Sequence, residues 1–145
     1  MTACHKLTAI SLFSSGGIGD LPLHGLGIEV LVSNELLPDR HSIYEANNPR
    51  VKCLTGDIYK LKGQIEQTTK ELLAGRQLDI LFATPPCQGM SKNGRGKLLQ
   101  GIRRGEKPKL DIRNRLVIAV LDLCNSLSAS AKFIIPQTVA NLSRD

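Results

Sequence analysis

The sequence predicts an α/β domain, an open parallel sheet of about five strands with flanking helices, incomplete at one edge. Three observations point there. Short apolar runs alternate with stretches of helical periodicity, the order that parallel strands joined by right-handed crossovers require. Aromatic residues make up 3% of the chain and Trp is absent, so Leu, Ile, Val and Ala must fill the core, as in sheets buried on both faces. A length of 145 residues with 41% hydrophobic content supports one such domain, residues 1–145, rather than two.

Residues 7–13 form an apolar run that ends in Ser14-Ser15-Gly16-Gly17-Ile18-Gly19, a strand followed by a tight turn whose backbone a ligand can approach. A second strand covers 29–34. Pro38 near the start and Asn47-Asn48-Pro49 at the end delimit a short helix. After a brief strand at Cys53-Leu54, the residues Leu61, Ile65, Leu72 and Leu73 share one helical face, with Gly75 as the terminator. Residues 78–83 read as a buried strand, stopped by Pro85-Pro86, which lack backbone donors. From Ile112 onward, Leu116, Val117, Val120, Leu121 and Leu127 recur with helical spacing, and 133–135 read as a fifth strand. A sheet ending there leaves an apolar edge open, which predicts a covering partner chain.

The net charge of +6 and a pI near 9.4 suit a polyanionic partner. Segment 92–115 holds nine basic side chains against Glu106 and Asp111, so it alone outweighs the net charge of the chain. Judged by itself, that segment reads as a solvated loop. Cys4, Cys53, Cys87 and Cys124 lie far apart, which fits neither a zinc ribbon nor a disulfide framework and predicts a reducing compartment and no metal. No stretch resembles a signal peptide, and the longest aliphatic run, 116–121, is far below spanning length. An intracellular protein with no membrane partner is expected.

Two acids mark strand ends. Glu35 ends the second strand, where a doubly wound fold places a carboxylate to hold ribose hydroxyls. Asp57, in Gly56-Asp57-Ile58, ends the third, where a carboxylate can accept from an adenine amino group. Taken singly, each acid reads as a helix cap or a solvated side chain; taken in order with the glycine turn, they converge on one nucleoside. That turn lacks the glycine spacing that admits a pyrophosphate, which argues against a dinucleotide and a nicotinamide-dependent oxidoreductase. A methionine-bearing nucleoside makes no such demand. Cys87 follows Pro85-Pro86 at the C-terminal end of the fourth strand, beside the crevice where such sheets bind ligands. Cys4, Cys53 and Cys124 read as inert core thiols.

The ordered elements Ser11-Leu12-Phe13-Ser14-Ser15-Gly16-Gly17, Asn34-Glu35, Gly56-Asp57-Ile58, Pro85-Pro86-Cys87-Gln88 and Asp111-Ile112-Arg113-Asn114-Arg115-Leu116 resemble the first five motifs of the cytosine carbon-5 DNA methyltransferases. The resemblance covers nearly the whole chain. It implies the N-terminal part of a methyltransferase catalytic domain, with the Rossmann-like fold of S-adenosylmethionine-dependent methyltransferases. It also implies methylation of double-stranded DNA as in restriction-modification, with S-adenosylhomocysteine as product. In the first motif it assigns cofactor contacts to Phe13, Ser14, Gly16, Gly17 and Ile18. Glu35 and Leu36 fall on the ribose side, Asp57 and Ile58 on the adenine side, and Pro86 and Leu116 become pocket walls. Cys87 becomes the nucleophile that adds to carbon 6 of a flipped-out cytosine. Segment 92–115 becomes the basic catalytic loop, and Gln88, Ser91, Lys92 and Arg95 become DNA contacts.

Two departures accompany the match. The family carries Glu-Asn-Val as its sixth motif, and here Gln137-Thr138-Val139 stand in those places, so Gln137 occupies the position of the general acid. The chain reaches Asp145 before the target recognition region and the final segment that the family pattern continues with. Activity is therefore expected only with a second polypeptide or a C-terminal half. The alternative is an inactive, truncated relic that retains nucleoside or nucleic-acid binding. The expected location is the cytoplasm of a bacterium or the nucleus of a eukaryote.

Overall fold

A computed structural model describes residues 6–86, 104–105 and 115–127, together with the backbone of 132–134. Five strands, β1 (Thr8–Leu12), β2 (Glu29–Glu35), β3 (Lys52–Thr55), β4 (Ile80–Ala83) and β5 (Lys132–Ile134), form one sheet in the order β3-β2-β1-β4-β5. Every pairing is parallel. The crossovers are α1 (Leu21–Gly25), α2 (Pro38–Asn47), α3 (Ile58–Leu73) and α4 (Leu116–Leu127). This is the doubly wound arrangement read from the sequence, with β5 at one edge.

The boundaries shift in small ways. β1 is one residue shorter at each end than the apolar run, and β5 begins at Lys132 rather than Phe133. The sequence reading passed over α1, whose five residues follow a single 3-10 turn at Ile18–Asp20. Pro22 stands in the first turn of α1, where no backbone donor is needed.

The helix faces correct the sequence reading more substantially. In α3 the buried side chains are Ile58, Ile65, Thr69 and Leu73, while Leu72 is 43% exposed. In α4 they are Ala119, Val120, Leu123 and Leu127, while Leu121 is 48% exposed. Leu116 and Leu61 pack at the margin of that core. Residues 116–121 are all apolar, so their own periodicity names no buried side and tertiary packing chooses it. The end of α3 also differs in detail. Ala74, at φ 49°, takes the left-handed conformation ahead of Gly75, at φ 86°.

Two layers of core result. The face under α3 and α4 joins Ile10, Leu12, Val32, Ile65, Leu81 and Leu123 in one large apolar cluster. The face under α1 buries a smaller group, Ala9, Leu23, Ile28, Val30, Ile80 and Phe82. A register shift between Ala9 and Ile10 lets two successive residues of β2, Leu31 and Val32, join the same large cluster. No helix among the described residues is long and apolar enough to cross a membrane.

Candidate functional site

Four strands deliver their C-terminal ends to one rim, and each end is held by hydrogen bonds that the local sequence supplies. Beyond β1, Phe13 (φ 59°) and Ser15 (φ 50°) are left-handed, which turns the chain sharply away from the sheet. The Ser14 amide donates to the Asn34 carbonyl at 3.0 Å, and the Gly17 amide to the Ser14 carbonyl at 2.9 Å. Gly17, at φ 92°, passes under Tyr44, where a Cβ would meet the ring at 3.1 Å.

Glu35 fastens this turn to the next helix. One carboxylate oxygen accepts the Ser15 amide at 2.8 Å and the other the Leu37 amide at 3.0 Å. The side chain is 6% exposed, so these two donors replace the water it has lost. Its neighbour Asn34 donates to the carbonyls of Leu54 and Gly56 at 3.0 and 3.1 Å, fixing the end of β3 beside β2. Asp57 then caps α3, accepting the Tyr59 amide at 2.9 Å. Beyond β4, Thr84 donates from its amide to Leu12 and from its hydroxyl to Phe13, at 3.1 and 3.0 Å.

The rim encloses a pocket of about 530 Å³. Phe13, Glu35, Leu36, Asp57, Ile58, Pro86 and Leu116 all line it, so the residues assigned from five separate motifs share one cavity. Ser15, Asn34, Leu37, Arg40, Tyr59 and Thr84 join them, and none of these six was singled out from the sequence as a contact. Ser14 is buried beneath the turn, while Gly16, Gly17 and Ile18 line a different and larger cavity of about 860 Å³ that reaches toward Arg50 and Arg76. That cavity holds neither Glu35 nor Asp57, and size alone does not locate chemistry. The smaller pocket suits a nucleoside better. Its walls are largely apolar, and each Glu35 oxygen keeps a second lone pair for a hydroxyl. The second Asp57 oxygen makes no hydrogen bond to the described residues.

Below the turn lies a buried polar network. Asp20, 1% exposed, accepts from the Ser11 hydroxyl at 2.7 Å and from the Tyr44 hydroxyl at 2.6 Å. Burial pushes the Asp20 carboxyl above the usual carboxylate range, against the opposing pull of those two donors. Burial, then the neighbouring Asp20, push the Tyr44 phenol well above its ordinary value. These residues link β1, the glycine turn and α2, and thereby seat the turn that carries Phe13 and Ser15. A pairing of this kind leaves no mark on sequence periodicity.

Cys53 and Cys124 are half-buried, and burial pushes the Cys53 thiol up, away from the reactive thiolate. The segment holding Cys87, Gln88, Ser91, Lys92 and Arg95 lies outside the described residues, as do Cys4 and Gln137. Among the described residues, no group of three His, Cys, Asp or Glu side chains is placed to hold a metal ion.

The sequence pattern of the C-5 cytosine-specific DNA methylases matches residues 7–127. The chain belongs to that family. Among the methylases it resembles is the type II methyltransferase M1.HgaI of Avibacterium volantium, at 34% identity over 122 residues, which are 84% of this chain and 32% of that one. Another is the type II methyltransferase M.NgoPII of Neisseria gonorrhoeae, at 28% identity over 141 residues, 97% of this chain and 36% of that one. The chain thus spans about a third of the length of these curated relatives. Its fold matches a solved, prophage-encoded protein of E. coli described as a candidate DNA modification methyltransferase. There the TM-score is 0.62 and the identity 22%, covering 95% of this chain and 35% of that one. It also matches an S-adenosylmethionine-dependent methyltransferase of Agrobacterium tumefaciens, with TM-score 0.53 and 18% identity over 90% of this chain and 37% of that one. The methylase fold of this chain is accordingly the Rossmann-like fold of S-adenosylmethionine-dependent methyltransferases.

Proposed function

We propose that this chain is the cofactor-binding, cysteine-bearing part of an enzyme that methylates carbon 5 of cytosine in double-stranded DNA, as part of restriction-modification. The observation that carries the reading is the shared pocket. Phe13, Glu35, Asp57, Pro86 and Leu116, drawn from motifs spread across the chain, meet at the C-terminal rim of the sheet in a methylase of this family. A pocket of about 530 Å³ also falls inside the roughly 300–1,000 Å³ typical of small-molecule sites.

S-adenosylmethionine supplies, when bound, an electrophilic methyl group on a sulfonium. Glu35 holds the ribose hydroxyls with the lone pairs that its backbone donors leave, and Asp57 accepts the adenine amino group with the oxygen not used for capping. Phe13, Ile58, Pro86 and Leu116 exclude water around the base. Cytosine carbon 5 is too weak a nucleophile to take a methyl group unaided. Cys87 therefore adds as thiolate to carbon 6, which places electron density on carbon 5; after methylation there, loss of the carbon-5 proton expels the thiolate and restores the ring. The base must leave the duplex for this chemistry, and Gln88, Ser91, Lys92 and Arg95 of the basic segment grip the opened DNA. Target recognition and the remaining chemistry come from a second polypeptide or a further half of the protein.

Gln137 favours a second reading. A side-chain amide can donate a hydrogen bond to the cytosine ring but cannot deliver a proton, and general acid assistance is commonly worth about a hundredfold to ten-thousandfold. An inactive relic that still binds nucleoside or nucleic acid fits that substitution.

Calorimetric titration with S-adenosylhomocysteine tests the pocket. Asp57→Asn is the informative variant, because Asn caps a helix as well as Asp but spends its single oxygen on the Tyr59 amide. An affinity loss of about tenfold with unchanged stability is expected. Absence of binding by the unaltered chain defeats the cofactor reading. Trapping on DNA bearing 5-fluorocytosine, with a complementing chain present, then separates enzyme from relic by a covalent adduct at Cys87.

A further inference from the structure

We propose that Tyr59 is a positioning residue that sets the width of the nucleoside pocket, a role that rests on reading that pocket as the cofactor site. Tyr59 stands in the first turn of α3 at the pocket lining and is 47% exposed. Its amide donates to Asp57 at 2.9 Å, and its hydroxyl donates to the Arg115 carbonyl at 2.6 Å. The residue therefore touches both sides of the cavity. Asp57 belongs to one wall, and Arg115 immediately precedes Leu116, which forms the other and begins α4.

The two walls have no local reason to stay in register, because 56 positions separate Tyr59 from Arg115. Their spacing is set by how α4 docks on α3. Deeper in that interface the docking is apolar, through Ile65, Leu73, Val120 and Leu123. Farther along the helix pair lies an exposed ion pair, Lys62 with Asp122 at 2.8 Å. Tyr59 is the tie at the end where the helices meet the pocket. A tyrosine suits the task, since its ring is rigid and its hydroxyl reaches a distant carbonyl with only two side-chain torsions to order. Without the hydroxyl, α4 stays docked through its apolar face but Leu116 is no longer held at a fixed distance from Asp57.

Tyr59→Phe removes that one bond and keeps the ring. Lys62→Ala serves as its control, since it cuts another tie in the same helix interface away from the pocket. S-adenosylhomocysteine is titrated into the 145-residue chain, and thermal melting is recorded for each protein. Tyr59→Phe is expected to bind about three- to tenfold more weakly than the unaltered chain, the effect of one neutral hydrogen bond, with little change in melting. Lys62→Ala is expected to bind normally. Equal affinities for Tyr59→Phe and the unaltered chain overturn the proposal, as do equal losses in both variants, which would mark general helix docking. Failure of the unaltered chain to bind falls on the cofactor reading itself and is thereby distinguished from failure of the Tyr59 role.

Discussion

The two faces of the sheet bury different materials. Among the described residues, fifteen buried apolar side chains make one continuous cluster under α3 and α4, whereas the face under α1 holds six and adds the Ser11–Asp20–Tyr44 network beside them. The larger face is maintained by volume and tolerates little loss of it. The smaller face is maintained by direction, since each hydroxyl must find one carboxylate oxygen. The pocket lies at the rim above both, and the polar face carries the turn that bears Phe13 and Ser15. The large apolar cluster therefore supplies most of the buried volume, while both faces shape the site: the polar network seats the turn, and the docking of α4 on α3 places Leu116 across from Asp57.

That division predicts different responses to mutation. The largest effect belongs to the apolar face. Ile65 is fully buried near the middle of α3, and Ile65→Ala should cost about 2–5 kcal/mol in urea unfolding. A cost below about 1 kcal/mol would show that α3 is loosely docked and would erase the contrast between the faces. Because Ile65 lies far along α3 from the rim, variants that remain folded should keep their affinity for S-adenosylhomocysteine.

The polar face should respond less in stability and more in its dependence on pH. Tyr44→Phe keeps the ring but leaves one Asp20 oxygen without its donor, a loss of about 1–3 kcal/mol. Asp20 is also held above its ordinary range by burial, with Tyr44 and Ser11 pulling the other way and His24 nearby. A carboxyl whose folded pKa exceeds its unfolded one binds its proton more tightly in the folded chain. Its contribution is complete below the unfolded value and is lost as pH rises through the folded value. Removing the Tyr44 hydroxyl raises the Asp20 carboxyl further, so Tyr44→Phe should lose stability over a wider pH range than the unaltered chain. In Asp20→Asn that descending component should vanish. Parallel pH profiles for all three proteins in denaturant unfolding would contradict the network.

The same contrast explains what could be read from the sequence. The alternation of parallel strands with helices and most element positions are legible in apolar runs and their punctuation, as with 78–83 stopping at Pro85-Pro86, whereas the spatial order β3-β2-β1-β4-β5 comes from the structure. Glu35 and Asp57 are legible as acids at strand ends that converge in this fold, and Phe13, Pro86 and Leu116 only through the family resemblance; the structure places all five around one pocket. Leu72 and Leu121, which the sequence reads as part of the apolar helical pattern, are exposed, because consecutive apolar residues have no preferred face until another helix packs on them. Asp20 and Tyr44 passed unnoticed for a related reason. They are 24 residues apart and become partners only when α2 is laid across the glycine turn. Arg40 and Tyr59 reach the pocket through helix geometry rather than at a strand end, where the sequence reading looked for contacts.

The smallest expected effect concerns Ser15, where the two faces meet at the rim. Ser15 sits at φ 50°, a left-handed conformation that costs an ordinary residue about 1–2 kcal/mol. Glycine relieves that strain but surrenders about 0.5–1 kcal/mol in the greater freedom of its unfolded chain. Ser15→Gly should therefore stabilise the protein by less than about 1 kcal/mol, a rise of a few degrees in melting temperature. The hold on Glu35 survives the change, because the donor at position 15 is the backbone amide and not the side chain. Affinity for S-adenosylhomocysteine should stay level while melting rises, which separates the conformation of the turn from its chemistry. A fall in melting temperature would mean that the Ser15 side chain offsets its own strain, and the turn would then depend on a contact beyond the Glu35 bond.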